Sequence, residues 1–214
     1  MTTYTIKELC EIGGEIAPGP KPKFTIIDLI KFLFILQVRS PVGRKALSKR
    51  LGLGEGTIRT MLSRMQNNKI IEVGKDGCKL TEIGKRYSKA ISKLMLYPKP
   101  IKASDLTQSR YSYFILLRKV LPKVKTGIEQ RDAVVRLGGK GAFTIICSGK
   151  KFKSPSEDMF FEDKYPSSLW MFIRNTMSPK DGDVIIITGA DSQVIAENGA
   201  IAAALTLLEP NIVI

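Results

Sequence analysis

Apolar and polar positions along the chain change period several times, and each change marks an element. Residues 24–38 (FTIIDLIKFLFILQV) are apolar nearly all round, interrupted by Asp28 and Lys31, which predicts a buried helix. Ser40 and Pro41 stop it. Residues 43–51 (GRKALSKRL) read as a short amphipathic helix: Ala46, Leu47 and Leu51 share one face, while Arg44, Lys45, Lys49 and Arg50 turn to solvent. Gly52, Leu53 and Gly54 form a tight turn, and residues 55–67 (EGTIRTMLSRMQN) follow as a third helix. There Ile58, Met61, Leu62 and Met65 recur at i, i+3, i+4 and i+7. Residues 70–73 and 78–80 flank Gly74–Lys75–Asp76–Gly77, a hairpin signal. From Thr81 onward a further helix sets Ile83, Tyr87, Ile91 and Leu94 in register, and Tyr97–Pro98–Lys99–Pro100 closes the region.

The second half has a different texture. Residues 109–120 (SRYSYFILLRKV) fit a helix or a strand, and periodicity does not choose between them. Residues 133–137 and 142–147 read as two strands about Gly138–Gly139–Lys140–Gly141, residues 150–156 as a basic loop and residues 165–177 as a helix. Residues 183–187 (DVIII) are expected to be a buried strand and residues 192–208 a helix rich in small residues. Gly199 and the run 200–204 permit close packing, within the chain or across a dimer interface. The predicted fold class is α+β: an amino-terminal helix-turn-helix domain with a wing (residues 23–97), preceded by an arm or a short element (residues 1–22, closed by the breaker APGPKPK), and a carboxy-terminal α/β-type domain (residues 101–214).

Charge sharpens this division. The net charge is +14, and its excess is lopsided: residues 1–100 carry 19 Lys/Arg against 8 Asp/Glu, residues 101–214 carry 15 against 12. A polyanion is the natural partner of such a half, because neutralised phosphates release counterions. The plainer alternative is a solvated basic surface. Histidine is absent, which removes the usual general base, the commonest transition-metal ligand and every histidine-containing triad. The three cysteines, Cys10, Cys78 and Cys147, are widely spaced and form no CxxC pair, so neither a zinc ribbon nor a disulfide framework is indicated. A reducing, cytoplasmic setting is expected, with no secretory leader, no membrane span, no metal and no cofactor.

The segment SPVGRKALSKRLGLGEGTIRTMLSRMQNNKIIEVGKDGCKLTEIGKRYSKAI (residues 40–91) carries the sharpest signal. Short helix, glycine turn, longer helix, hairpin and helix come in the order a winged helix needs. In its pieces it resembles the winged helix-turn-helix regulators of bacteria and archaea. These are Ala46–Leu47 with Leu51–Gly52–Leu53, then Thr57, Ile58, Arg59, Leu62 and Met65, then NNKII, then LTEIGKRY. The resemblance implies that residues 55–67 enter the major groove of double-stranded DNA. Their outward face is expected to offer Thr57, Arg59, Thr60, Ser63 and Arg64. Arg59 is the expected base reader, since its fork matches guanine. Thr57 and Thr60 suit phosphate or a thymine methyl. Arg44 and Lys45 are expected at phosphates, and Lys75 and Lys79 at the wing. Glu55 is unfavourable beside phosphate and is read as a helix cap.

The chain as a whole, with the segment GADSQVIAENGAIAAAL (residues 189–205), resembles an archaeal family that joins a winged helix to a carboxy-terminal domain of unknown function. This resemblance implies a transcriptional regulator and names no effector. Read directly, DVIIITGADS places Thr188, Gly189, Asp191 and Ser192 between a strand end and a helix start, where ligands collect and free N–H groups favour anions. Asp191 serves equally as an N-cap. Lys140 sits in a glycine-rich hairpin turn or beside an anion, and Glu197 is a ligand contact or a solvent-facing helix residue. Two function classes are carried forward. One is a homodimeric DNA-binding regulator whose second domain senses a small anionic effector or dimerises. The other is an enzyme using the second domain, against which the lack of a recognisable nucleophile–base set counts. A protein–protein module or an RNA binder is a weaker third reading.

Overall fold

The computed structural model describes residues 4–14, 23–102 and 104–210. The chain divides into two compact units, residues 1–92 and 93–213. The proline-rich breaker falls at residues 17–22, outside the described residues, apart from its final Lys23.

The first unit is helical with one hairpin. Its elements are α1 (Ile6–Gly14), α2 (Ile26–Val38), α3 (Arg44–Leu51), α4 (Glu55–Asn67), β1 (Ile71–Gly74), β2 (Gly77–Leu80) and α5 (Glu82–Leu94), the last of which runs two residues into the second unit. This is the order the sequence predicts, and the stretch expected as an arm or a short element contains α1. Its start is a capping box, in which the Thr5 N–H donates to Glu8 Oε2 (3.1 Å) and the Glu8 N–H to Thr5 Oγ1 (3.1 Å). Ile6, Leu9 and Gly13 are buried, so α1 is part of the core. The α2 helix starts the same way, with the Thr25 N–H donating to Asp28 Oδ2 at 2.7 Å. As its all-round apolar pattern requires, residues 26–33 are buried without a break. Leu47, Leu51, Ile58, Met61, Leu62 and Met65 close the core from α3 and α4. Ala46, expected on that inner face, is exposed.

The second unit is a five-stranded antiparallel sheet in the order β3-β4-β7-β5-β6. Its strands are β3 (Lys99–Ile101), β4 (Tyr111–Leu117), β5 (Gly141–Ser148), β6 (Lys151–Lys153) and β7 (Val184–Ala190); its helices are α6 (Ser104–Thr107), α7 (Ile128–Arg136), α8 (Phe161–Lys164), α9 (Leu169–Met177) and α10 (Gln193–Leu208). Every residue of β7 is buried, as the central strand of a sheet covered on both faces must be. Alternation sorts the side chains: Phe114, Leu116, Ile145, Cys147, Ile185 and Ile187 join Phe161, Trp170 and Ile173 in one aromatic-rich layer. The opposite face is covered by α10, which packs on β4 and β7, with α7 against it. Residues 200–204 are fully buried there, so the small-residue helix serves packing within the unit. The fold class is α+β, as expected.

Several local expectations are corrected. The stretch at 109–120, open between helix and strand, contains strand β4. Residues 133–137, read as a strand, belong to α7 and the turn after it, and Gly138–Gly139–Lys140–Gly141 links that helix to β5 rather than turning a hairpin. The tyrosine that closes the sequence boundary, Tyr97, and strand β3 both fall in the second unit, so the division comes at residue 92. The basic loop at 150–156 contains β6, and an acidic stretch answers its charges: Lys151 pairs with Asp163 (3.1 Å) and Lys153 with Asp158 (3.1 Å). Among the described residues no helix is long and apolar enough to cross a membrane.

Two of the free thiols test this core. Burial pushes Cys78 up to about 11 and Cys147 up to about 12, the latter with the Asp183 carboxylate adding to the rise. Thiolate is the reactive form. In the native protein at pH 8 both thiols are expected to stay unmodified by iodoacetamide, and both to be alkylated in urea. Peptide mass spectrometry reads the difference.

Candidate nucleic-acid interface

The interface begins with the α3–α4 turn. The Gly52 N–H donates to the Ser48 carbonyl (2.9 Å), Ser48 Oγ donates to the Leu53 carbonyl (2.5 Å), and Gly54 takes the N-cap of α4. Glu55, read as the cap, is instead the first helical residue, where its charge suits the positive end of the helix dipole. The hairpin is then tied back to the chain just before α3. Val42 and Cys78 exchange backbone hydrogen bonds, N–H to carbonyl in both directions at 3.0 Å, making a third rung beside β2. Gly77 permits this. Its φ is +128°, and a Cβ there would lie 2.5 Å from the Val42 carbonyl carbon and oxygen.

These two ties fold one cleft of about 400 Å³ out of three elements. Arg44 comes from the start of α3, Arg59, Ser63 and Gln66 from α4, and Lys75 and Asp76 from the hairpin turn. Arg44, Arg59 and Lys75 make no ion pair among the described residues, and all three are exposed. Of the nine residues singled out from sequence for DNA, the structure therefore gathers four: Arg44, Arg59, Ser63 and Lys75. Lys45 is exposed on α3 but does not line the cleft. Thr57 is half-buried, and Thr60 is exposed with its hydroxyl donating to the Gly56 carbonyl (3.2 Å) of its own helix. Lys79 is paired across the hairpin with Glu72 (3.1 Å).

Arg64 is a correction. Expected on the outward face, it is 8% exposed. Its guanidinium donates to the Gly13 carbonyl at the end of α1 and lies over the Phe24 ring, 5.7 Å from the centroid. A cation suits the unsatisfied carbonyls of a helix end, so Arg64 is a pin between α4 and α1. Gln66 is the residue that sequence reasoning missed. It stands one turn beyond Ser63 and seven residues beyond Arg59, a spacing that marks one helix face. Its amide is the type that reads adenine.

The six residues singled out for a ligand separate into two groups, each with partners inside the unit. At the end of β7, Lys140 Nζ contacts Asp191 Oδ1 (2.9 Å) and the Gln108 carbonyl (3.0 Å), and that lysine holds the Asp191 carboxyl below its ordinary range. Gly189 is buried against Thr107 and Ser109. Ser192 holds the N-cap position of α10 with no side-chain cap bond. Under α10, Thr188 is fully buried and donates to the Ala196 carbonyl (2.8 Å). Glu197 is half-buried and accepts from the Tyr97 hydroxyl (2.7 Å), whose ionisation burial and then that carboxylate both oppose.

Two family models match the chain. Residues 25–86 match one described as "PH0730-like, N-terminal domain", and residues 108–207 match "Domain of unknown function (DUF4443)". Among solved structures, the chain is similar to the hypothetical protein PH0730 from Pyrococcus horikoshii OT3, with a TM-score of 0.71 and 28% identity over 89% of this chain and 96% of that one. No curated protein matches.

Two substitutions test the geometry. Arg64→Ala leaves the Gly13 carbonyl without its donor and removes the guanidinium over the Phe24 ring. It is expected to cost about 1–3 kcal/mol in urea unfolding. Gly77→Ala forces a Cβ into the Val42 backbone at a positive φ and is expected to cost a similar ~1–3 kcal/mol.

Proposed function

We propose that the amino-terminal unit is a winged helix that binds double-stranded DNA, in a transcriptional regulator whose second unit senses a ligand or dimerises. One observation carries this reading. The cleft between α4 and the hairpin brings together Arg44, Arg59 and Lys75, three cations from three elements with no ion pair among the described residues, beside the amide of Gln66 and the hydroxyl of Ser63. Three exposed cations that converge beside a single carboxylate, Asp76, do not serve the fold, since surface electrostatics favours interspersed signs. A row of phosphates supplies the missing charge.

In this reading α4 enters the major groove, Arg59 and Gln66 face base edges, and Ser63 steadies them. Arg44 meets a phosphate at the start of α3, where backbone N–H groups also point outward. Lys75 reaches the neighbouring backbone from the hairpin tip. Thr57 and Lys45 are left to flanking contacts, and Thr60 and Lys79 reach DNA only by giving up bonds they already make.

The test is a titration of duplex, single-stranded DNA and RNA at several salt concentrations. Duplex affinity is expected to fall linearly with salt on logarithmic axes, at about 0.9 per phosphate neutralised. Arg59→Ala is expected to weaken binding to a selected sequence by roughly 1–3 kcal/mol with the circular dichroism unchanged, whereas Lys75→Ala flattens the salt slope by about 1. No duplex binding at low salt, or a preference for RNA, overturns the reading.

A further inference from the structure

A second cleft lies in the carboxy-terminal unit, where β5 loses its outer neighbour. β6 pairs with β5 only at residues 146–148, and β7 takes the other side of the strand, so residues 141–145 form an open sheet edge. The start of α7, the loop at 154–159 and the end of α8 enclose about 200 Å³ against that edge.

Three features of this cleft belong to a binding site. Thr144 is 4% exposed, lines the cleft, and its hydroxyl is buried with no hydrogen-bond partner among the described residues. A buried hydroxyl left unpaired is costly unless something bonds it. Gly127, the N-cap of α7, makes no side-chain cap bond, so no side chain covers the amides of that first turn from the cap position. Its φ is +88°, and a Cβ there would stand 3.0 Å from Thr144 Oγ1, so glycine keeps the ground beside the hydroxyl clear. Arg131 also lines the cleft, exposed and with no ion pair among the described residues. The other cation of the cleft, Lys164, is already neutralised by Glu157 at 3.2 Å. Phe143, Met159 and Phe161 give the cleft an apolar wall.

We propose that this cleft binds a small monocarboxylate with an apolar or aromatic body. One free guanidinium and one helix N-terminus match a single negative charge, and the fork of arginine fits a carboxylate in two places. The apolar wall takes the body, and the Thr144 hydroxyl donates to the acid. The volume lies below the ~300–1,000 Å³ usual for ligand pockets, which restricts the occupant to about amino-acid size. The proposal gives content to the reading of the second unit as a sensor, and the binding itself is independent of DNA.

The chain's one tryptophan supplies the readout. Trp170 lies with its ring centroid 5.9 Å from that of Phe161, a wall residue. Fluorescence of the full chain, without DNA, is titrated with benzoate, phenylacetate and hexanoate, and melting temperature is followed in parallel to catch binding that leaves fluorescence unchanged. At least one carboxylate is expected to saturate and raise the melting temperature, with benzamide and inorganic phosphate weaker by about tenfold or more. Arg131→Ala, an exposed position, is expected to weaken the carboxylate by about tenfold, and Thr144→Val by several-fold with unchanged circular dichroism. Saturation by none of the three, equal binding of benzamide or phosphate, or an Arg131→Ala affinity equal to that of the parent overturns the proposal. Because DNA is absent from this titration, its failure leaves the DNA reading standing, and a failure of duplex binding leaves the cleft standing.

Discussion

The pairing of Val42 with Cys78 holds the candidate interface in shape. Alone, a two-stranded hairpin of four-residue strands would be marginal. Two backbone bonds of 3.0 Å join it to the residue just ahead of α3, and Cys78 Sγ donates to the same Val42 carbonyl at 3.3 Å. Arg44 follows Val42 by two residues and Lys75 precedes Cys78 by three, so this one rung sets the distance between the amino-terminal end of α3 and the hairpin tip. The glycine turn then sets α4, and with it Arg59, against both. Gly77 is the covalent condition for the arrangement, since any side chain there meets the Val42 backbone.

How far the sequence shows this interface can be followed on α4 itself. Its bounds were legible because Gly54 and the Asn67–Asn68 pair punctuate a strict apolar stripe. Its outward face was only half legible. On a 3.6-residue wheel Arg59, Ser63 and Gln66 lie on one flank of that stripe, and Thr57 and Arg64 lie on the other. Nothing local distinguishes two polar flanks. The structure does so through α1, a helix distant in sequence that covers the second flank and accepts the Arg64 guanidinium at its carboxyl end. A long-range packing event of that kind leaves no mark on the periodicity of α4.

One stretch of the second unit was misread for a related reason. Val134 and Val135 gave residues 133–137 the look of a strand, because β-branched residues favour pleated, half-buried surfaces. The helical spacing was present as Gln130, Ala133 and Val134, all buried, but a polar residue on the inner face concealed it. Gln130 is held there by a bond from its amide to Thr206 Oγ1 (2.5 Å) on α10, a contact 76 residues away. The candidate ligand residues at the end of β7 followed a rule for parallel sheets, in which ligands gather beyond strand ends. This sheet is antiparallel, the polar groups there bond to one another, and the open ground lies at the edge of β5 instead.

Charge separates the two units more decisively than fold. Around β6 and α8 in the second unit, basic side chains have local answers: Lys151 with Asp163, Lys153 with Asp158, Lys164 with Glu157, and Arg174 with Glu162 at 2.5 Å. Those pairs cross between β6, α8, α9 and the loop at 154–159, and they close the positive field where it arises. On the cleft face of the first unit the comparable cations stay unanswered, and the one carboxylate beside them, Asp76, belongs to the hairpin turn. Exposed ion pairs contribute little to stability, about 0–1 kcal/mol, so their absence from that face saves the fold nothing and costs it little. What it changes is the field: unpaired cations around a concave surface add, and their sum reaches outward by about the Debye length, roughly 8–10 Å at physiological salt.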